Sequence, residues 1–313
     1  RVDFETLSKE FTVRGIAHMP VKGYYLRKLY PVPELRTFGD IDLLIHQEDR
    51  QKVHELMLSL GYSVKQNWEP TYSYIKGAEY YEIHTNLMDG NLDNRADLKA
   101  YFDAAWRYAE PDDGLRYRPA SDFHFIYTVC HLAKHLYGGG AGLRMYLDIA
   151  LYMKNESARL NMENIEREMA ALQLTGFFHT LMNACSAWFG TECGCPLPPP
   201  DEAAIKKLLC YTLDSDLFGH SRDHAVIELR NSKSKKTAKG KLIRNMLFPP
   251  AGQIESRYTF LHGRHWLLPL AWIVRAVSNL RLIPNRLHSM KSVAETDIDG
   301  VETYDGFMRR IGL

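Results

Sequence analysis

Phe38-Gly39-Asp40-Ile41-Asp42-Leu43-Leu44-Ile45 sets two acids one residue apart and then runs into an apolar stretch. That stretch reads as a buried strand. Side chains alternate faces along a strand, so Asp40 and Asp42 project together while Ile41, Leu43 and Ile45 point into a core. Paired carboxylates on one rigid face suit a hard divalent cation such as Mg²⁺, which prefers oxygen ligands and keeps positions for water and phosphate. A third acid follows in Tyr80-Tyr81-Glu82-Ile83-His84-Thr85-Asn86-Leu87. As a strand, this places Glu82, His84 and Asn86 on one face and Ile83 and Leu87 on the other. Three acids from two strands can hold two metals, the arrangement that steadies attacking and leaving oxygens in phosphoryl and nucleotidyl transfer.

The residues before the acids point the same way. Ala17-His18-Met19-Pro20-Val21-Lys22-Gly23 reads as a short strand ending at Lys-Gly. Tyr24 to Tyr30 reads as a helix that Pro31 and Pro33 close. A strand, a glycine turn and a helix start aim free backbone amides at a phosphate. Lys22 adds a point charge there and Arg36 a planar fork.

Together, Val21-Lys22-Gly23, Leu29-Tyr30-Pro31, Leu35-Arg36, Gly39 to Ile45, Gly61-Tyr62 and Glu82-Ile83-His84 resemble the uncharacterised nucleotidyltransferases of the DNA polymerase beta-like superfamily. The resemblance is clearest over residues 13–90. It thins through the His131/His135 and Arg144/Asp148 region and the Arg257 to Arg275 stretch. It implies that Asp40 and Asp42 bind two Mg²⁺, that Glu82 completes the site and that Gly23 is the turn glycine of a triphosphate cradle. Lys22 stands where the superfamily has a glycine, and no serine follows Gly23. Each residue also has a plainer reading. Asp-x-Asp is a common turn and cap signal, Glu82 can be an edge-strand charge, Lys22 can cap a strand end, and Arg36 can pair with Glu34 or Asp40.

A chain of 313 residues with 45% hydrophobic content suggests two domains with real cores. A net charge of +1 gives no global attraction to nucleic acid. The five cysteines are irregularly placed, and Cys193-Gly194-Cys195 lacks the two-residue gap of common zinc and redox motifs. They read as free thiols in a reducing cytoplasm. No stretch reads as a signal peptide. Trp266 to Val274, the greasiest run, is too short to span a bilayer and is interrupted by Pro269.

Composition changes near residue 90. Before it, helix Asp49–Leu60 and strands Tyr62–Gln66, Tyr72–Lys76 and Tyr80–Asn86 are predicted. Beyond Ala96, helices are predicted at Ser121–Tyr137, Gly142–Lys154, Met162–Leu172, Gly176–Phe189, Asp201–Asp214, Lys235–Leu247 and Trp266–Leu280. The expected architecture is α+β: a small mixed sheet with helices over residues 1–95, then a mainly helical domain over 96–313 that completes the cleft.

His124, His131 and His135 lie seven and four residues apart on one predicted helix, with Thr128 between, and Arg144 and Asp148 repeat the four-residue step on the next. They can hydrogen-bond between helices, line a nucleotide cleft with His131, His135 and Arg144 facing the triphosphate, or form a metal centre of their own. The Glu that marks zinc proteases is absent, since Leu132 follows His131. Lys233 to Lys241 is a basic run that reads as a solvated loop or as an approach to phosphates. Tyr72 and Tyr74 share a strand face, for packing or for stacking a base.

The expected activity is therefore Mg²⁺-dependent transfer of a nucleoside monophosphate from an NTP such as ATP to an acceptor hydroxyl, in the cytoplasm. The acceptor is a small molecule, a sugar, an RNA end or a protein. Two rivals stand beside it: a metal-dependent phosphohydrolase using His131, His135 and Asp148, and a catalytically silent nucleotide-binding scaffold.

Overall fold

The computed structural model describes residues 4–36, 39–68, 71–88, 92, 97–138, 140–214, 240, 244–245, 247–254, 258–261, 263–278 and 298–313. Seven strands form one mixed sheet in the order β3-β4-β5-β2-β1-β7-β6. They are β1 (His18–Pro20), β2 (Ile41–Ile45), β3 (Ser63–Trp68), β4 (Thr71–Lys76), β5 (Glu79–His84), β6 (Ala109–Asp113) and β7 (Arg116–Pro119). The β2–β5 and β1–β7 pairs are parallel and the others antiparallel.

The alternation in β2 and β5 decides what lies on each face. Leu43, Ile45, Tyr81 and Ile83 turn to a core that also takes Tyr72 and Tyr74 of β4. Two helices cover that face: α1 (Phe4–Val13), through Phe4, Leu7 and Phe11, and α3 (Arg50–Ser59), through Val53, Leu56 and Met57. Burying each of these large apolar side chains contributes about 1.5–3 kcal/mol, which fixes the register and so the opposite face. Tyr72 and Tyr74 are packing residues, 3% and 1% exposed, and do not present a stacking surface.

The opposite face carries the acids. Between β1 and β2 run one turn of helix, α2 (Gly23–Leu26), and 3-10 turns at Arg27–Leu29 and Pro33–Leu35. The helix predicted over Tyr24–Tyr30 is thus shorter, tightening after its first turn before Pro31. The helices after the sheet match their predicted places: α5 (Ser121–Gly138), α6 (Leu143–Glu156), α7 (Met162–Ala171), α8 (Thr175–Phe189) and α9 (Glu202–Asp214), with α4 (Leu98–Asp103) before them.

The hairpin β6–β7 lies past residue 95, in a stretch whose sequence reading is helical, yet it extends the same sheet. Its polar outer strand hides the apolar alternation that marks β2, and Pro111 sits on an edge strand, where a missing N–H costs no ladder bond. Asp113-Gly114, with Gly114 at φ +59°, is the turn signal that betrays it.

Contacts divide the chain into two compact units, residues 1–220 with 311–313, and residues 221–310. In the second, Ile254, Leu261 and Ala271 form a small core with Trp272, whose indole Nε1 donates to the Pro249 carbonyl at 2.9 Å. The predicted Trp266–Leu280 helix is a 3-10 turn at His265–Leu267 followed by helix Leu268–Ser278. The predicted helix Lys235–Leu247 and the basic run from Lys233 lie outside the described residues, save for Gly240, Arg244, Asn245 and Leu247. Among the described residues no helix is long and apolar enough to cross a membrane. All five cysteines are unbonded thiols.

Candidate active site

Parallel pairing of β2 with β5 places Asp42 opposite Glu82 and Leu44 opposite His84. Glu82 and His84, two residues apart, share the face of Asp42. One ligand atom from each of Asp42, Glu82 and His84 lies within 4.8 Å of the other two. Asp40, just before β2, lines the same cleft. Asp40, Asp42 and Glu82 thus line one cleft. Its volume is about 810 Å³, and its lining also includes Lys22, Gly23 and Arg36, with His131, His135 and Arg144 from α5 and α6.

The acids do not share one electrostatic state. Asp42 is 3% exposed, which by itself would favour the neutral acid, but Lys22 Nζ at 2.8 Å and His84 Nε2 at 2.9 Å both bond its Oδ1. They outweigh burial and hold the Asp42 carboxyl below the ordinary carboxylate range. Lys22 is held charged in return, because the pull of Asp42 overcomes its own burial. Asp40 goes the other way. Burial first, then the negative charges of Asp42 and Glu82, push it up to about 6, although Lys22 and Arg144 oppose them. Glu82 accepts from the Tyr80 hydroxyl at 3.2 Å and is one-quarter exposed, so it faces the open part of the cleft.

Lys22 carries the least expected geometry. Its φ of 47° and ψ of −117° lie where glycine is at ease and a side chain is not, a cost of roughly 1–3 kcal/mol. The surroundings enforce it. The Lys22 N–H donates to His124 Nε2 at 3.0 Å, and its carbonyl accepts from the N–H groups of Tyr25 and Leu26. His124 is itself set by Tyr152. The Tyr152 hydroxyl donates to the Ser121 carbonyl at 3.2 Å and lies 3.3 Å from His124 Nδ1, which therefore carries the proton and leaves Nε2 to accept. Burial lowers the His124 pKa to about 3, so the ring stays neutral. His124 is thus a backbone anchor and not a group facing the nucleotide.

Arg36 does not pair with Glu34 or Asp40. Its Nε and Nη2 form two bonds of 2.8 Å to the Asp148 carboxylate on α6, and the Tyr30 hydroxyl adds a third at 2.8 Å. A Cβ on Gly23 would stand 2.9 Å from Arg36 Nη1, so only glycine lets the guanidinium lie against this turn. Asp148 is therefore engaged, and the three-ligand group of His131, His135 and Asp148 does not form. Among the described residues the one compact set of metal-ligating side chains is Asp42, Glu82 and His84. That removes the structural basis of the phosphohydrolase reading.

His131 and His135 face one another with Nε2 atoms 3.3 Å apart. Desolvation, then the nearby Lys22 charge, lowers both: His131 well below its usual value and His135 to about 4. Neutral imidazoles each offer one N–H and one lone pair to a ligand.

The donor set fits a hard divalent cation by chemistry, with three carboxylates on one rigid edge and a softer imidazole behind them. The sequence named His84 on the right face without giving it a role, although its two-residue step from Glu82 was the signal. Tyr30 and Tyr152 had none, because their partners lie 118 and 31 residues away.

No curated protein matches this chain. Among solved structures it is similar to that of the antibiotic-resistance factor ANT(2'')-Ia, with 14% identity over 54% of this chain and 88% of that one. The TM-score of 0.40 makes this a loose likeness. Residues 1–190, more than half of the chain, match the family described as uncharacterised nucleotidyltransferase, and the chain belongs to that family.

Proposed function

We propose that this nucleotidyltransferase moves a nucleoside monophosphate from an NTP, with ATP the first to test, to an acceptor hydroxyl and releases pyrophosphate. The observation that carries the reading is the register of β2 on β5, which sets Asp42 beside Glu82 with Asp40 at the strand mouth, all facing one cleft. Asp40, Asp42 and Glu82 would hold Mg²⁺, which when bound supplies charge neutralisation for the transferring phosphoryl oxygens.

The protein's own groups then divide the work. Lys22, Gly23 and Arg36 form the phosphate end of the cleft, where the guanidinium is held by Asp148 and presents Nη1 beside Gly23. Glu82, one-quarter exposed, would accept the proton of the acceptor hydroxyl. His131 and His135 stay neutral at pH 7 and can hydrogen-bond the nucleotide, with Arg144 adding positive charge. Residues 1–95 would supply the acids and the phosphate turn. The helical part from residue 96 would complete the cleft through α5 and α6. The barrier falls through positioning and preorganised charge, so the acids serve rate more than folding. Dependence on free NTP fits a cytoplasmic protein.

The test is pyrophosphate release from each NTP with Mg²⁺ against pools of small alcohols, sugars, RNA ends and proteins. Glu82→Gln is the cleanest variant, because Glu82 is partly exposed and its loss leaves no buried charge unpaired. Turnover should fall by at least about 100-fold, the scale of removing one preorganised transition-state contact. Full turnover in this variant sinks the proposal. Nucleotide binding with no pyrophosphate release from any pool would support the silent scaffold instead.

A further inference from the structure

Beyond the cleft, the loop after α8 brings two thiols together: the sulfurs of Cys193 and Cys195 stand 3.0 Å apart. The Glu166 carboxylate of α7 lies beside Cys195. Its Oε1 is buried and takes no hydrogen bond among the described residues, with His179 Nε2 3.4 Å away. We infer that Cys193 and Cys195 form a redox site that a small disulfide oxidises to an intramolecular bond, with Glu166 receiving the proton that Cys195 gives up. None of these residues lines the nucleotide cleft, so the inference does not rest on the function proposed above.

The loop is built to hold the pair. Helix α8 ends at Gly190, whose φ of +65° turns the chain back. Asn183 Nδ2 donates to the Pro198 carbonyl at 3.2 Å and pins the far end. At Gly194, between the thiols, a Cβ would stand 3.4 Å from Met162 Cγ, so the turn packs against the start of α7. Residues two apart span at most about 7 Å, close to the roughly 4.4–6.8 Å between Cα atoms that a disulfide bridges. The two side chains already face each other, and roughly 1 Å of approach completes a bond. Both thiols are partly exposed and reachable by a reagent, whereas Cys130 and Cys185 are buried.

The thiols take different roles. Burial, then Cys193 and the Glu166 carboxylate, push the Cys195 thiol up, so the first attack falls to Cys193. Cys193 loses its proton to solvent, attacks one sulfur of the reagent RSSR and expels RS⁻, which takes a proton from solvent. The Cys195 sulfur then attacks the Cys193 sulfur of the mixed disulfide, and its proton passes to Glu166. The second RS⁻ leaves and takes up that proton. Two protein thiols become one disulfide, and RSSR becomes two RSH.

The test treats the full chain with excess oxidised glutathione and a chelator, quenches in acid and maps the cysteines by mass. The Cys193–Cys195 bond should form at least about tenfold faster than glutathione adds to the exposed Cys210, because closure is intramolecular. Cys195→Ser should stop at a glutathione adduct on Cys193, and Cys193→Ser should leave Cys195 unmodified over the same time. Glu166→Gln should accumulate the Cys193 adduct, with closure slowed at least about tenfold and the melting temperature held. Adducts on both cysteines at the Cys210 rate, with no bond between them, overturn the inference. So does closure at the wild-type rate in Glu166→Gln. A repeat with equimolar Zn²⁺ in place of the chelator adds one more outcome. If Zn²⁺ shields both thiols and no bond forms in either medium, the pair is a metal clamp and the inference is overturned.

Discussion

The two walls of the cleft are built on opposite electrostatic plans. On the sheet side, three carboxylates crowd together with Lys22 directly bonded to one of them, and burial with that crowding drives Asp40 up to about 6 while Asp42 is held down. On the helical side, Asp148 is bound to Arg36 and Tyr30, and His131 and His135 stay neutral. Like charges left close together on a rigid edge raise the energy of the empty protein and lower it when a cation arrives. A buried, fully bonded ion pair does the reverse: it holds two segments together and has little left to offer a ligand. The sheet wall should therefore govern rate, and the helical wall stability.

Asp148→Ala should show the largest effect and is the hardest test of that division. It leaves the Arg36 guanidinium buried without its carboxylate, which costs about 3–5 kcal/mol. Urea unfolding should read this directly. Replacing the pair together, as Arg36→Met with Asp148→Leu, should cost much less, because no charge is then stranded. Equal losses from the single and the double change would show that packing, not the ion pair, joins α6 to the 3-10 segment. Next comes Glu82→Gln, with turnover down at least about 100-fold, close to 2.7 kcal/mol of transition-state stabilisation. Its unfolding free energy should stay within about 1 kcal/mol of the wild type. A stability loss as large as that of Asp148→Ala would erase the contrast between the walls.

The contrast was half visible in the sequence. Alternation in Asp40 to Ile45 and in Tyr80 to Asn86 is local, so it gave both strands, their buried faces and the shared face of the acids. The parallel β2–β5 register that makes Asp42 and Glu82 neighbours is non-local and is not legible in either strand; the family resemblance implies only that Glu82 joins the acid pair. The partner of Arg36 was not legible, since Asp148 lies 112 residues on and two nearer acids were available. The backbone of Lys22 was equally hidden. Its conformation is imposed by His124, 102 residues away, against the local preference of a lysine. Hairpin β6–β7 shows the third kind of miss, where a polar edge strand carries no apolar period and only Asp113-Gly114 marks the turn. Local patterns were read; long-range polar pairings were not.

Tyr30→Phe sharpens the helical side. It removes a single hydrogen bond to Asp148 and leaves both Arg36 bonds in place. The loss should be about 1.5–3 kcal/mol in urea unfolding, the range for a bond to a charged group. A loss as large as that of Asp148→Ala would mean that the tyrosine, not the guanidinium, holds the carboxylate in place.

The smallest effect separates the walls by sign alone. In metal-free buffer, stability follows the difference in protons bound by the unfolded and folded chains. His135, with a folded pKa of about 4 against an ordinary 6.5, refuses a proton that the unfolded chain accepts, so its contribution is lost as pH falls through that window. His131 acts in the same direction, and buried His18 and His124 add a common background. Asp40 opposes them. Its folded pKa of about 6 against 3.8 means that the folded protein takes up the proton first, so its contribution is present in acid and lost as pH rises through about 6. Asp40→Asn should therefore steepen the loss of stability between about pH 6 and 4, and His135→Gln should flatten it. Melting temperatures across that range, with a chelator present, would show the two slopes diverging from the wild type in opposite directions. Identical slopes for Asp40→Asn and the wild type would mean that neither burial nor the Asp42 and Glu82 charges raise the Asp40 carboxyl. The sheet wall would then lack the stored repulsion that draws a cation in.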